Sequence, residues 1–237
     1  MSRITMWAVT GIGEVRPGDQ VGDLVVEACR NEPNGPLQDG DVLVVTQKIV
    51  SKAENRLVQV DPSDPLSHKA LVEEEAVRIV RRRGDLIITE TQHGFICANS
   101  GVDLSNVEAG YAALLPIDSD RSARRIRDIV RSQLGVTVGV IISDTFGRPW
   151  RHGLTDVAIG VAGIAGVVDL RGTEDALGRT MNVTEVAVAD EIASAAELVM
   201  GKSTGVPVAV VRGVDSQWLR ESSVQELIRS AQDDLFR

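Results

Sequence analysis

A group of chemically reactive side chains follows the apolar run Thr137–Ile142, which is rich in β-branched residues and typical of a buried strand. Asp144 and Thr145 lie just beyond the carboxyl end of that run, where layered α/β proteins usually place their chemistry. Their oxygen atoms are the hard ligands that a divalent cation prefers. Arg148 and Arg151 add forked donors that suit a carboxylate or a phosphate. The stretch therefore predicts a site for a metal ion and an anionic ligand.

The same stretch contains Gly147 and Pro149, which break regular elements, so we predict a loop between the strand and Asp156. The alternative is that this loop has no function and is a surface turn with a solvated aspartate and scattered ion pairs. We favour a functional loop because binding and catalytic residues concentrate on loops that a rigid scaffold positions.

Two lysines follow a second apolar run, Asp41–Thr46, which also predicts a buried strand. Lys48 and Lys52 could bind phosphate as point charges, and a solvated basic turn is the open alternative. No glycine-rich P-loop precedes them, so a Walker-type site is excluded. The glycines Gly11 and Gly13 lack the third glycine and the following helix of a dinucleotide fingerprint, which excludes a Rossmann site.

A second polar segment contains Asp103 and Asn106, whose spacing of three would face both side chains the same way within one turn. Taken alone, this pair is more typical of an Asx turn or a helix cap. Together with Asp144 and the two lysines, however, it predicts a site for a nucleoside triphosphate with one or two divalent cations. The histidines lack the partners of a catalytic triad, and no histidine–cysteine cluster indicates zinc.

Hydrophobic periodicity predicts the elements that must position these side chains. Further strands are predicted at Leu57–Val60, Asp85–Glu90, Tyr111–Pro116, Val157–Val168 and Pro207–Val211. Helices are predicted from Asp19 as N-cap to about Arg30, over His68–Arg83, over Asp118–Leu134, from Thr184 as N-cap to Met200, and over Val224–Leu235.

Composition narrows the class of protein. The chain has 237 residues, enough for one large domain or two small ones, and its 3% aromatic content leaves the core to Val, Ile, Leu and Ala. The net charge of −9 argues against a nucleic-acid surface. Cys29 and Cys97 form no metal or redox spacing, which predicts a reduced cytoplasm. The longest apolar run, Val157–Val168, is too short to span a membrane.

Four blocks of sequence, in this order, resemble a single family: Thr46–Glu54, Ala98–Asn106, Ser143–Arg151 and Val183–Glu191. The chain resembles the coenzyme F-420:L-glutamate ligases, also called F-420 γ-glutamyl ligases, from about Gly11 to Gly213. This resemblance implies an α+β fold of mixed sheets with flanking helices, distinct from P-loop and ATP-grasp enzymes. It also implies a homodimer in which residues 1–237 form one ligase domain, with or without a smaller subdomain. In actinobacterial relatives this domain is fused to a C-terminal nitroreductase-like flavin domain, so the chain is either a stand-alone ligase or such a domain.

The resemblance implies a reaction in which GTP phosphorylates the lactyl carboxylate of the coenzyme F-420 precursor. The amine of L-glutamate then attacks the acyl phosphate, and later glutamates are added through γ-links. Mg²⁺ or Mn²⁺, at two sites, is expected as the metal, and K⁺ as an assisting ion. Two alternatives stay open: a non-catalytic nucleotide-binding or deazaflavin-binding protein on the same scaffold, and an amide ligase that acts on another acid.

Matching the family motifs assigns Asp103 and Asp144 as catalytic residues and, with Thr145, as metal ligands. Gln47 stands where relatives can have serine, and Gly13 stands where a proline is common. The residues that match nucleotide contacts are Ile12, Gly13, Glu14, Val15, Gln47, Lys52, Asn106 and the run Gly178, Arg179, Thr180, Met181, Asn182, Val183, Thr184 and Glu185.

Overall fold

The computed structural model describes residues 3–30 and 32–235. The strands are β1 (Thr5–Val9), β2 (Val42–Thr46), β3 (Leu57–Gln59), β4 (Ala76–Arg83), β5 (Leu86–Thr91), β6 (Ile96–Ala98), β7 (Tyr111–Ala113), β8 (Gly139–Arg148), β9 (Arg151–Ala162), β10 (Val168–Asp169), β11 (Glu185–Val186) and β12 (Val208–Arg212). The α-helices are α1 (Val21–Arg30), α2 (Gln47–Ala53), α3 (Lys69–Glu74), α4 (Ser119–Leu134) and α5 (Val188–Met200).

The main sheet has five strands in the order β1-β12-β2-β8-β9. Only β2 and β8 run parallel to each other, and the other neighbours are antiparallel. The parallel pair places the carboxyl end of β2 beside the middle of β8, with Thr46 opposite Ser143. The segment that follows β2 therefore begins beside the second half of β8.

Helices cover both faces of this sheet, which explains why its strands are continuous apolar runs. Along β2, Leu43 and Val45 belong to the core that packs against α1 and α4, whereas Val42 and Val44 belong to the core that packs against α5. Close packing against α4 requires a glycine at position 160, because a Cβ there would lie 2.5 Å from the Ser119 backbone. The sheet is thus held rigidly between two helical layers.

Three small sheets complete the fold: β4-β5-β6, β3-β7 and β10-β11. A third apolar cluster, formed by Val72, Ile87, Val102, Ala112 and Leu114, joins the first two of them. The described ranges contain five α-helices, several sheets and no closed barrel. The predicted α+β class with mixed sheets and flanking helices is confirmed. None of the helices in these ranges has the length and apolar character needed to cross a membrane.

The prediction of one helix over His68–Arg83 is wrong. Helix α3 ends at Glu74, and the following residues form strand β4, which pairs with β5. The β-branched residues Val77, Ile79 and Val80 favour a strand, and Gly84, with φ of 57°, supplies the left-handed turn of a hairpin. The arginines at its end therefore lie on a strand and do not stabilise a helix dipole.

Two other helices differ from prediction at their ends. Helix α5 begins at Val188 and not after Thr184, because residues 185–186 pair with β10 as β11. The predicted helix Val224–Leu235 is reduced to one 3₁₀ turn at Val224–Leu227, of which only Val224 is buried. By contrast, α4 is confirmed: the Asp118 carboxylate accepts a hydrogen bond from the Arg121 backbone N, and Gly135 ends the helix.

The predicted loop after Ile142 is also wrong, since β8 continues to Arg148 and pairs with β9 as a long hairpin. Gly147 has no positive φ and pairs with Leu154 as an ordinary strand residue. Pro149 lies in the tight turn, where its missing N–H costs no ladder hydrogen bond. The reactive side chains of this segment therefore project from a paired ribbon, which fixes their positions better than a loop would.

Candidate active site

A cavity of about 650 Å³ lies at the carboxyl end of β2, beside residues 143–145 in the middle of β8. Asp103, Asp144 and Thr145 line it, although Asp103 comes from a distant segment. The predicted nucleotide-contacting residues that also line it are Ile12, Gly13, Glu14, Val15, Gln47, Lys52 and Asn106. The structure thus gathers three of the four sequence blocks and the N-terminal segment around one cavity, at the sheet edge where parallel strands usually present functional groups.

The β8–β9 hairpin positions a buried carboxylate opposite Thr145. Asp156 pairs with Thr145 across the hairpin and is 2% exposed. Its carboxylate accepts hydrogen bonds from Thr145 Oγ1 at 2.7 Å and from Ser143 Oγ at 3.2 Å. A bulge next to Ser143 shifts the register so that these side chains face each other. The Thr145 hydroxyl donates to Asp156 and accepts a hydrogen bond from Lys202 Nζ, which leaves one lone pair for a cation.

Asp144 is half-buried, with its remaining surface towards the cavity. Its Oδ1 accepts a hydrogen bond from the Thr145 backbone N at 2.8 Å. The pKa of Asp144 is raised to about 7, mainly by removal from water. The hydrogen bond from the Thr145 backbone and the charge of Lys48 lower it, and the negative charges of Asp103 and Asp156 add to the rise. Three carboxylates therefore lie within electrostatic reach of one another, and a divalent cation would relieve their repulsion.

Asp103 is held by a strained backbone segment. Asn99, Ser100 and Gly101 all have positive φ, and the buried Ser100 hydroxyl donates to the Val72 carbonyl oxygen at 2.7 Å. Asp103 itself exchanges two backbone hydrogen bonds with Ala113 of β7. Strain of this kind persists only where the surroundings fix it, and it often accompanies functional sites.

The Asp103 side chain accepts hydrogen bonds from Lys48 Nζ and from the Ser105 backbone N, the latter at 2.7 Å. Burial alone would raise the pKa of Asp103, but Lys48 and Ser105 together hold it below its usual value. The hydrogen bond from the Ser105 backbone N makes an Asx turn, which is the alternative that the sequence predicts for this segment. The same residue, Asp103, also lines the cavity, as the functional interpretation predicts. Asn106 has a φ of 52° and does not share a helical face with Asp103.

Lys48 and Lys52 lie one turn apart on α2, which starts directly after β2. The solvated-turn alternative is therefore wrong. Lys52 is 8% exposed, and its Nζ lies 2.5 Å from Glu14 Oε1. The buried Gln47 side chain donates to the Leu114 carbonyl oxygen at 3.1 Å, so this side chain joins α2 to the segment after β7. Lys48 Nζ donates to Asp103 and to two oxygens of Ser105, so it would have to exchange one of these partners to bind a ligand.

The predicted nucleotide-contacting segment Gly178–Glu185 does not line the cavity in the described part of the chain. It belongs to an exposed arm, defined as residues 170–185, that follows β10 and ends at the first residue of β11. Leu177 and Val183 on this arm are 77% and 86% exposed. The assignment of this segment to the nucleotide stays a prediction.

Asp156, Glu197 and Lys202 line the cavity but were not predicted as site residues. Asp156 could have been found from the hairpin, because a turn at Pro149 places it opposite Thr145. Glu197 and Lys202 lie at the end of α5 and just after it, and no local pattern distinguishes them from an ordinary helix terminus.

The lining of the cavity is acidic, with six carboxylates and three lysines. Lys48 contacts Asp103 and Lys52 contacts Glu14, whereas Lys202 contacts both Asp156 and Glu197. Among the residues that the structure describes, no group of three or more His, Cys, Asp or Glu residues could hold a metal ion alone. Asp103, Asp144 and the Thr145 hydroxyl nevertheless supply oxygen atoms of the kind that a hard divalent cation prefers.

Comparison with known proteins agrees with the sequence blocks. The sequence model of a family described as F420-0:Gamma-glutamyl ligase matches residues 11–213. A protein named Coenzyme F420:L-glutamate ligase from Methanopyrus kandleri is 43% identical over 94% of both chains. Proteins of the same name from Methanothermobacter thermautotrophicus and Methanocaldococcus jannaschii are each 41% identical, the first over 99% of both chains and the second over 85% of this chain and 86% of its own.

Proposed function

The chain belongs to the F420-0:Gamma-glutamyl ligase family, and from this premise we propose that it ligates L-glutamate to the coenzyme F-420 precursor at the cost of GTP. The observation that carries the proposal is the meeting of Asp103, Asp144 and Thr145 in one cavity that also contains Lys52. Two aspartates and a hydroxyl beside buried lysines suit the transfer of a phosphoryl group between two anionic partners.

The proposed reaction has two steps. First, an oxygen of the precursor's lactyl carboxylate forms a bond to the γ-phosphorus of GTP as the bond to the GDP oxygen breaks, which gives an acyl phosphate. The amine nitrogen of L-glutamate then attacks the acyl carbon, the bond from that carbon to the phosphate oxygen breaks, and the amine proton passes to solvent or a base. GDP, phosphate and an amide result. Repetition at the new γ-carboxylate extends the tail.

Asp103, Asp144 and Thr145 would hold Mg²⁺ or Mn²⁺ in this reaction. A metal held there would supply positive charge to stabilise a transferring phosphoryl group. The excess of carboxylates in the cavity supports this assignment, because GTP, glutamate and the precursor are all anions and would otherwise be repelled. A second metal site and an assisting K⁺ ion are proposed on the family resemblance alone.

The nucleotide is proposed to bind between the N-terminal segment and α2, where Ile12–Val15, Lys52 and Asn106 line the cavity. Lys52 would exchange Glu14, whose side chain is 73% exposed, for a phosphate of GTP. Such an exchange costs little at the Glu14 end, because an exposed carboxylate regains its hydration.

Replacing Lys52 by methionine should weaken GTP binding about tenfold or more, because a charge-assisted contact contributes ~1.5–3 kcal/mol. Metal affinity in the absence of nucleotide should change little. Titration calorimetry measures both quantities. The control is Glu14→Gln, which releases Lys52 from its ion pair and should bind GTP at least as tightly as the parent. Unchanged GTP affinity in Lys52→Met would remove this lysine from the nucleotide site.

The protein is also proposed to be a homodimer. Large apolar side chains are exposed on the β8–β9 turn and on the arm, where Trp150, Leu154 and Val183 are 80%, 69% and 86% exposed. Static light scattering at micromolar concentration should give twice the mass of the chain. A monomer mass would contradict the proposal.

The alternative function, non-catalytic binding of a nucleotide or deazaflavin, makes a different prediction about turnover. A ligase sustains GDP release over many turnovers when the precursor and L-glutamate are both present, and releases none when the precursor is absent, whereas a binding protein releases none under any combination. Release with another acid in place of the precursor would favour the alternative amide ligase.

A further inference from the structure

The end of the cavity beside α5 contains charged residues that neither the nucleotide nor the metal assignment uses. Lys202 Nζ lies 2.5 Å from Asp156 Oδ1 and 3.6 Å from Glu197 Oε1, and it also contacts the Thr145 hydroxyl. We call Glu197 and Lys202 the α5 pair. Both residues line the same cavity as Asp144.

The contacts divide the charged groups of the cavity into two sets. The Lys52–Glu14 pair and the Lys48–Asp103 pair each include a lysine of α2. Lys202 instead contacts Asp156 and the Thr145 hydroxyl of the β8–β9 hairpin. Asp144 precedes Thr145 in β8 and lines the same cavity. An amino acid bound at the α5 pair would therefore lie next to the proposed metal ligands and leave the lysines of α2 to the nucleotide.

The signs of the charges identify the kind of substrate. Two carboxylates flank one ammonium group, so the local charge is −1 and both signs are present. An anion without a positive group, such as the precursor carboxylate or its acyl phosphate, would be repelled by Glu197 and Asp156. An α-amino acid presents an ammonium and a carboxylate on neighbouring atoms and therefore complements both members of the α5 pair.

We propose that the α5 pair is the subsite for the amino-acid substrate, with Lys202 binding a carboxylate of L-glutamate and Glu197 accepting hydrogen bonds from its amine. This inference rests on the proposed ligase function. Asp156 is almost fully buried and holds Lys202 in place, so it acts as a positioning residue. Val206 and Pro207, which line the same cavity, supply apolar surface for the methylene groups of glutamate.

The side chains of the α5 pair are exposed enough to bind an amino acid. The Lys202 and Glu197 side chains are 54% and 24% exposed, whereas that of Asp156 is 3% exposed. The 3.6 Å contact between Lys202 and Glu197 is long and partly solvated, and such ion pairs contribute little stability. Both groups can therefore turn from each other to a zwitterion at low cost.

Hydroxylamine separates this subsite from the rest of the reaction. It attacks an acyl phosphate to form a hydroxamate and has no carboxylate for Lys202 to bind. The parent protein, GTP, Mn²⁺ and the precursor are incubated with either L-glutamate or hydroxylamine, and product formation is followed at varied concentrations of each nucleophile. The variants are Lys202→Gln and Glu197→Gln. Lys202→Arg retains the charge, and Glu191→Gln repeats the second substitution at an exposed position of the same helix.

The subsite predicts that Lys202→Gln and Glu197→Gln raise the KM for L-glutamate about tenfold. Their rates of hydroxamate formation and their GTP affinities should fall far less. Lys202→Arg should recover most of the glutamate affinity, and Glu191→Gln should match the parent. An unchanged KM for L-glutamate, or parallel losses with both nucleophiles, would overturn the inference.

The same assay reports separately on the proposed function. If the parent ligates L-glutamate but forms no hydroxamate, the acyl phosphate is wrong, and the KM for L-glutamate still decides the subsite. If the parent ligates nothing, the proposed function itself fails. A loss of Mn²⁺ affinity in Glu197→Gln would transfer Glu197 from the amino-acid subsite to a cation site and so contradict the inference.

Discussion

The Asp144→Asn variant should fold and lose turnover by about a hundredfold or more. Asparagine has nearly the same size and keeps an oxygen that can accept the hydrogen bond from the Thr145 backbone N. It removes the anion that would hold the metal, and electrostatic stabilisation of a transition state commonly contributes ~3 kcal/mol. Steady-state ligation rates measure the loss, and thermal unfolding checks that the variant is folded.

The folded state should tolerate this change because it removes a charge that is costly to bury. Burial raises the pKa of Asp144 to about 7, so the ionised side chain destabilises the metal-free protein. Asp128→Asn is the matched control, since Asp128 is an exposed residue of α4 outside the cavity. It should ligate at the parent rate. Parent-like ligation by Asp144→Asn would remove Asp144 from the metal site.

The second large effect is a pH dependence of metal binding. The dissociation constant for Mn²⁺ in the absence of nucleotide should rise about tenfold for each pH unit below about 7, because one proton competes with the metal for Asp144. Calorimetric titrations between about pH 5.5 and 8 measure this slope. In Asp144→Asn the slope near pH 7 should disappear. A parent protein whose Mn²⁺ affinity stays constant over this range would contradict the assignment.

The contribution of Asp144 to the free energy of unfolding changes with pH in the opposite direction to metal affinity. The pKa of Asp144 rises from 3.8 to about 7 on folding, so between these values the folded protein binds more protons than the unfolded chain. The contribution of this group to the free energy of unfolding is therefore largest below about pH 4 and is lost as the pH rises to about 7. Metal binding requires the anion, and its affinity rises over the same interval.

The sequence predicts the central elements well where a single signal dominates. The β-branched run of β2 and the amphipathic helix α4 both lie where periodicity places them. The charged segment before Gly84 was misassigned because an acidic run followed by a basic run at the end matches the polarity of a helix dipole, whereas pairing with β5 decides the actual conformation. Tertiary pairing of this kind is not visible in a local window.

In the candidate site, too, the local sequence predicts some features, and others depend on tertiary contacts. Asp103, Asp144 and Thr145 were identified from local motifs, and all three line one cavity. The contacts between Lys48 and Asp103 and between Lys202 and Asp156 join residues that are distant in sequence, so no spacing could predict them. The α5 pair carries no motif at all. The local sequence identifies candidate residues, and only the fold shows which oppositely charged residues they contact.

The most direct test of the central claim is the mass of the product. The protein is incubated with the glutamate-free coenzyme F-420 precursor, GTP, Mn²⁺ and L-glutamate, and the coenzyme is analysed by mass spectrometry. A ligase should increase the mass of the precursor by one or more glutamyl residues, only when GTP and the metal are both present. A precursor of unchanged mass, with protein that is folded and binds GTP, would contradict the proposed function.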